Sequence, residues 1–322
     1  MLRRCVISNA NLSNLGQING QGDTRATFLT VSMAEVLSAF QENNVMKDLH
    51  RERTITHGKS ATFPTSWKAT AKYHQRGTPI LGSNNILHGQ RIINIDDLLI
   101  ADTVIYELDE AMNHYDVRSI HTTELGAALA RAYDEKCLKV AVLAARATGV
   151  TDNSYGGSTI TDANMATDGQ VLANALFSAA QTLDEKDVPI QDRALVVKPA
   201  QYYLMAATKD LLNKDWGGAG VYADGSILYV AGIKIIKSNN VPSTNIADAS
   251  DGEKNTYHGD FSKTVGVVLT KDAIGTVKLK DLAMEITSGD FRIMYQADLM
   301  VAKYAMGHGI LRPECAVELA LT

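Results

Sequence analysis

Residues 116–146 contain no proline and a single glycine, Gly126. Val117, Ile120, Leu125, Leu129, Ala132, Tyr133, Leu138, Ala141, Val142, Ala144 and Ala145 recur along them at helical spacing as one broad apolar stripe. Asp109, Asn113 and Asp116 stand before the run as caps. At 1.5 Å per residue the stretch predicts a rod of roughly 45 Å, where compact domains typically use helices of about three or four turns. The many alanines let another element approach closely, so the rod reads as a spine around which the rest is organised.

The other elements arrange themselves about that rod. Residues 170–186 predict a second amphipathic helix on Val171, Leu172, Ala175, Leu176, Ala179 and Leu183, after a Gly/Ser/Thr-rich loop at 153–168. A buried strand follows at 193–198, and Pro199 opens a helix over 200–209. Past a Gly-rich loop at 216–222, residues 227–238 read as strand on both sides of Gly232. This alternation predicts a compact α/β domain over 150–262. The remainder is strand-rich at 265–269, 275–279, 284–286, 292–306 and 311–321. It returns beside the spine, so the second domain is discontinuous in sequence.

Two segments have compositions that suit no core. Residues 8–24 are nearly all Asn, Ser, Gly, Gln and Leu and bury too little apolar surface to fold alone. Residues 1–26 therefore read as an arm, followed by a helix over 30–43 that ends at Asn43 and Asn44. From His57 to Arg91 the chain carries Lys59, Lys68, Lys72, Arg76 and Arg91 and no Asp or Glu, a local charge of +5 in a chain of net charge -5. Gly58, Pro64, Gly77, Pro79, Gly82 and Gly89 punctuate it as a long hairpin loop. Its two strands are expected around 60–63 and 90–95.

No pattern of residues demands a reaction. A GxxxxGK[ST] cradle is missing, and Gly217-Gly218-Ala-Gly220 neither follows a strand nor opens a helix with a matched acid. The eight histidines are dispersed; His50 with His57 and His114 with His121 are seven apart, too far on a helix to share a metal directly. The segment beginning Asp152-Asn-Ser-Tyr lacks the closing Glu of a calcium loop. GxSxG and a matched Cys/His pair are absent, and Asp96-Asp97 and Glu107/Asp109/Glu110 carry no cue that they converge on a cleft. Cys5, Cys137 and Cys315 are far apart and odd in number, which implies neither a disulfide framework nor a zinc site. The expectation is a protein that is not an enzyme, without cofactor or metal.

The net negative charge speaks against a protein whose main task is holding nucleic acid. The start Met1-Leu-Arg-Arg-Cys-Val-Ile is too short in apolar length for a secretion signal. No apolar run approaches the roughly eighteen residues of a membrane span. An arm, a basic loop and an overlong helix make sense only where they touch something outside the subunit.

Four blocks carry a family resemblance: Gly58-Lys-Ser-Ala-Thr-Phe-Pro64, Asp109-Glu-Ala-Met-Asn-His-Tyr-Asp-Val-Arg-Ser119, Ile274-Gly-Thr-Val-Lys-Leu-Lys-Asp-Leu-Ala-Met-Glu285, and Gln296-Ala-Asp-Leu-Met-Val-Ala-Lys-Tyr-Ala-Met-Gly-His-Gly-Ile-Leu-Arg-Pro-Glu314. In this order they resemble the major capsid proteins of autographivirus-type podoviruses, short-tailed bacteriophages. The resemblance implies the α+β Hong Kong 97-like fold. The arm and first helix would be 1–56 and the E-loop 57–98. The peripheral domain would be 99–149 with 263–322, its spine about 116–146, and the axial domain 150–262.

It further implies hexamers and pentamers of the chain in an icosahedral shell around double-stranded DNA, assembled in the host bacterial cytoplasm. A scaffolding protein and a portal at one vertex would take part. DNA would touch the shell by nonspecific contact only, no membrane is involved, and a decoration protein is compatible with the reading. The alternative within the same fold is an encapsulin-type compartment shell. One lineage of the fold joins its subunits by Lys-to-Asn isopeptide bonds; nothing in this sequence fixes such a pair, and none is expected.

If the basic loop lies across a neighbour, the contact residues are Lys59, Phe63, Trp67, Lys68, Lys72, Arg76, Ile80 and Leu81. The favoured acidic receiver is the surface of 281–298, with Asp281, Glu285, Asp290 and Asp298 against Arg292. The other is the axial start, with Asp152, Asp162, Asp168, Asp184, Glu185, Asp187 and Asp192 against Lys186 and Arg193. Exposed ion pairs contribute only about 0–1 kcal/mol each, so they would set register while the apolar residues supply adhesion.

Overall fold

The computed structural model describes residues 12–13, 44–66, 71, 73–80, 88–108, 117–150, 154–208, 229–246, 253–287 and 290–322. The chain forms two compact units. One comprises Met1–Asn44, Asp97–Tyr133 and Lys280–Met306; the other comprises Val45–Asp96, Asp134–Leu279 and Gly307–Thr322. The helix predicted at 30–43 and nearly all of the arm lie outside the described residues, as do the caps at 109–116.

The long helix is present as Val117–Arg146, 30 residues without interruption. Its two halves sit in different surroundings. In the first unit Leu125, Leu129, Ala130 and Tyr133 are buried, whereas Ile120, expected on the apolar stripe, is 58% exposed. Tyr133 meets Tyr304 edge to face with centroids 6.4 Å apart. The strand Leu99–Tyr106 pairs antiparallel with 297–304, in register from Ala297 opposite Tyr106 to Tyr304 opposite Leu99. On its other edge it takes Leu12–Ser13 in parallel. Residues 292–295, expected as strand, belong instead to the short helix Asp290–Tyr295. Gln296, with φ of 51°, turns the chain from that helix into the strand that begins at Ala297.

The second unit is built on a six-stranded sheet in the order Ser158–Thr161, Ala316–Ala320, Thr264–Leu269, Ala194–Val197, Ile233–Lys237, Tyr229–Val230. The central Ala194–Val197 and Thr264–Leu269 are buried at every residue, as runs of β-branched and small apolar residues with both faces covered should be. The helix Gly169–Glu185 starts at Asp168, whose side chain accepts the Gln170 N–H, and buries Leu172, Leu176, Ala179 and Leu183. Pro199 opens the helix Pro199–Ala206. Ala231 and Gly232, with φ of 51° and 77°, make the two-residue turn between the last two strands.

Two sequence expectations change here. The loop at 153–168 contains the strand Ser158–Thr161, which pairs in parallel with Val317–Ala320. Thr264–Leu269 and Ala316–Ala320, expected in the strand-rich return, share one sheet with Ala194–Val197 and Ile233–Lys237. The pairing decides this: Thr264–Leu269 lies between Ala194–Val197 and Ala316–Ala320 and bonds to both.

The second half of the long helix lies inside this unit, with Cys137, Leu138, Val140, Ala141, Val142, Ala144 and Ala145 all buried. At its C-terminus Arg146 makes two bonds to the buried Glu318 carboxylate, at 2.7 and 2.6 Å, and donates to the Asp260 carbonyl. The cation sits where a helix C-terminus favours one. Among the described residues no helix is long and apolar enough to cross a membrane.

Candidate functional site

The basic stretch forms the antiparallel hairpin Ser60–Ser66 with His88–Asn94, seven pairs running from Ser60 opposite Asn94 to Ser66 opposite His88. Among the described residues these strands form a two-stranded sheet of their own and extend farther toward the tip than the 60–63 and 90–95 read from the sequence. Burial alternates with the pleat: Ala61 and Ile93 are buried and Phe63, Thr65 and Arg91 half-buried, while Thr62, Pro64, Gln90 and Ile92 are exposed. Ala61 and Ile93 close an apolar cluster with Val277 and Leu311, against which Ile55, Phe63 and Ile95 pack. Residues 73–80 are all exposed.

The root of the hairpin is fastened by polar contacts that the sequence reading missed. Asn94 and Asn255 bond reciprocally: the Asn94 N–H donates to Oδ1 of Asn255 at 3.1 Å, and the Asn255 amide donates to the Asn94 carbonyl at 2.7 Å. Buried Asp96 accepts the Lys254 N–H at 2.9 Å and the Tyr257 hydroxyl at 2.6 Å. The same hydroxyl accepts the His308 N–H at 2.9 Å. Burial and the Asp96 charge push the Tyr257 phenol far above its ordinary value. Nδ1 of His308 lies 2.8 Å from the Thr276 hydroxyl, and burial holds that ring well below the usual histidine range. These groups come from 94–96, 254–257, 276 and 308, so no local spacing joins them.

The hairpin also rests directly on a strand. A Cβ at Gly307 would fall on the Asn94 carbonyl, and one at Gly309 would stand 2.7 Å from the Ile93 side chain. Only glycine allows so close a backbone approach. On the incoming side the Val45 and Met46 N–H groups donate to the Asp134 carboxylate at 2.9 and 3.1 Å. Burial raises Asp134 to about 6, against those bonds, which act to lower it. His50 lies 2.6 Å by Nδ1 from the Met46 carbonyl, and Glu52 pairs with Lys278 at 2.7 Å.

The predicted contact residues distribute unevenly. Lys59, Arg76 and Ile80 are exposed, Ile80 by 82%, and Phe63 is half-buried under the Arg53 guanidinium at 5.7 Å. Trp67, Lys68, Lys72 and Leu81 lie outside the described residues. On the expected receiver, Asp281 and Glu285 are exposed and Glu285 pairs with Lys303 at 2.5 Å. The side chain of Asp290 lies outside the description.

Asp298 corrects the sequence reading: it is only 8% exposed, 3.3 Å from Arg118 and 3.6 Å from Arg292. Consecutive Ala297 and Asp298 are both buried, so the alternation that would put one of them in water does not hold there. Among the described residues no group of three or more His, Cys, Asp or Glu could hold a metal. Cys137 and Cys315 are free, buried thiols.

The chain matches known proteins over most of its length. Residues 62–320 match the family described as Gp10A-like, major capsid protein. The chain is 35% identical over 319 residues to the major capsid protein of Escherichia phage T7, covering 92% of each. It is 34% identical to that of Enterobacteria phage T3, covering 96% of this chain and 95% of the relative. Among solved structures the capsid of the cyanophage P-SCSP1u superposes with a TM-score of 0.80 at 42% identity, covering 87% of this chain and 88% of that one. The encapsulin-type alternative is not favoured beside these phage relatives. The chain belongs to the Gp10A-like family of major capsid proteins, with the Hong Kong 97-like fold of tailed-phage shells.

Proposed function

We propose that copies of the chain close into an icosahedral shell of hexamers and pentamers around double-stranded DNA by laying the basic hairpin of each across an acidic face of the next. One observation carries this reading: residues 73–80, at the far end of a +5 segment, are exposed without exception, Tyr73 completely. Burying apolar groups such as Tyr73 and Ile80 against another copy contributes adhesion, while the lysines fix register.

The receiving face is the surface of Asp281 and Glu285. A second reading places it on Asp184, Glu185, Asp187 and Asp192, all exposed, while Arg193 beside them is buried. A scaffolding protein and one portal vertex complete the assembly in the host cytoplasm. DNA inside makes nonspecific contact only, a decoration protein is compatible with the outer face, and the chain performs no catalysis.

The test is the double substitution Lys68→Glu with Lys72→Glu, which is expected to stop shell closure while the subunit stays folded. Normal particles by electron microscopy would sink the proposal. Reversing Asp281 and Glu285 to Lys in that variant restores closure if the first surface is the receiver; restoration by Asp184→Lys with Glu185→Lys instead assigns the second. Denaturing gels of intact shells are expected to show single-chain bands, since no Lys–Asn linkage forms.

A further inference from the structure

The connection between the helix Gly169–Glu185 and the strand Ala194–Val197 is built more firmly than a plain link requires. Asp187 and Asp192 both take left-handed backbone, with φ of 56° and 61°, and neither is glycine. At Asp187 this conformation ends the helix, the next N–H, of Val188, donating to the Leu183 carbonyl at 3.0 Å; at Asp192 no helix end calls for it. Val188 is buried. The Arg193 side chain, 2% exposed, donates to the Val188 carbonyl at 2.6 Å, the Pro189 carbonyl at 3.1 Å and the Asp184 carboxylate at 2.7 Å. A desolvated guanidinium is thus committed to holding residues 188–191 in one shape. On that segment Ile190 is 67% exposed. Backbone in a sparsely populated region, fixed from beneath and bearing an uncovered aliphatic side chain, is a knob without its socket.

A socket lies beside it in the same unit. A cleft of about 280 Å3 is lined by Phe63, Pro64, Val150 and Leu311 together with Arg51 and Arg312. Arg51 and Asp272 line both this cleft and the hollow against Pro189, Gln191 and Asp192, so knob and socket are neighbours. Their charges are complementary. Glu185, Asp187 and Asp192 are exposed around the knob. At the cleft the Arg51 and Arg312 side chains are 61% and 43% exposed, whereas Asp272, which faces both, is 30% exposed and Glu314, bonded to Arg312 at 2.7 Å, only 4%. The open edge of the socket therefore presents cation and that of the knob anion.

Ile190 does not line the cleft of its own chain and stays in solvent. An anionic apolar knob next to a cationic apolar socket is complementary to a copy of itself after a half-turn, so that each of two chains gives a knob and receives one. We propose that this face is a two-fold contact between copies of the chain, with the Ile190 loop of each seated in the cleft of the other against Phe63, Val150 and Leu311. Burying Ile190 there supplies adhesion, and the acids of the knob against Arg51 and Arg312 fix the orientation. The contact goes beyond the assembly proposed above and requires the hairpin to be received on Asp281 and Glu285, since the other receiver uses the same acids as the knob.

The test uses the full chain with Cys5→Ser. Copies carrying both Ile190→Cys and Val150→Cys are assembled and treated with a mild oxidant. A two-fold contact joins each cysteine of one copy to the unlike cysteine of the other, so a linked dimer and nothing larger is expected on a non-reducing gel, with either single variant unlinked. Four results overturn the proposal: normal shells without linkage, a ladder of higher multiples, which marks a head-to-tail contact, self-linkage of Ile190→Cys alone, or a bond within one chain. Where Val150→Cys does not fold, Ser154→Cys on the same cleft takes its place. Ile190→Asp is expected to lower the yield of shells severalfold with the urea midpoint of the subunit unchanged; an unchanged yield overturns the contact. Rescue of Lys68→Glu with Lys72→Glu by Asp184→Lys with Glu185→Lys seats the hairpin on the knob and overturns it as well. If the unmodified chain forms no shells, the assembly reading fails by itself; linkage is then read on concentrated subunits, where a dimer supports the two-fold contact and its absence overturns it.

Discussion

The root of the hairpin and its far end obey opposite rules. At the root Asp96, Asn94, Asn255, Tyr257 and the His308 backbone satisfy one another in a connected network, and Asp134 holds the incoming strand by two backbone bonds. At the far end 73–80 show every side chain to solvent. The buried part of that network, Asp96 with the Tyr257 hydroxyl and the His308 N–H, fixes one geometry, because each alternative strands a polar group in low dielectric. The exposed apolar groups there, Tyr73 and Ile80, gain stability only when something covers them. The molecule places its conformational certainty at the root of the hairpin and its uncovered side chains at the far end.

The contrast breaks most visibly at Asp134. Asp134→Ala removes the acceptor for two backbone N–H groups and is expected to lower subunit stability by about 3 kcal/mol, read from urea unfolding. A pH series sharpens the same point. Asp134 titrates near 6 in the folded chain against 3.8 as its ordinary value. Between those values the folded subunit keeps a proton that the unfolded chain releases, so this group's contribution to stability grows as pH falls from about 6 to about 4. At about 1.4 kcal/mol per unit, the window holds roughly 2–3 kcal/mol. Asp134→Asn is expected to remove that slope; an unaltered slope in the variant would assign it to other groups.

A smaller effect is expected at Tyr257. Tyr257→Phe leaves Asp96 without the shortest of its bonds and should cost about 1–2 kcal/mol, with faster amide exchange at His308 as the local signature. At the other end of the scale, Ile80→Ser should change subunit stability by less than about 0.5 kcal/mol, yet reduce shell yield. A loss of subunit stability at Ile80 comparable to that at Tyr257 would abolish the distinction between root and tip.

The long helix was legible because thirty residues of one period leave few alternatives, and the basic hairpin because charge and glycine punctuation act locally. What escaped the sequence is what depends on distant partners. Ser158–Thr161 is a strand only because Val317–Ala320 lies beside it. Asp96 looked like half of a carboxylate pair with Asp97; its partners Tyr257 and Asn255 are about 160 residues away. Ile120 fitted the stripe by period but lies exposed, since a stripe says which residues share a face and not how far along the helix that face is covered. Asp298 was read as a surface acid from its type, whereas Arg118 and Arg292 make its burial tolerable.

Gly307 and Gly309 carry a mechanical consequence. The paired part of the hairpin is seven residues long, about 23 Å at strand rise, and its angle of departure is set where Asn94 touches Gly307. A methyl group there would wedge the root outward by an ångström or so. Over a base of roughly one strand spacing, about 5 Å, such a tilt is multiplied about fourfold or fivefold at the end of the pairing. Leverage of that size turns an atomic misfit at the fulcrum into a displacement of several ångströms at the end of the pairing, so the hydrogen atom that serves as the side chain of Gly307 sets the tolerance on where the hairpin points.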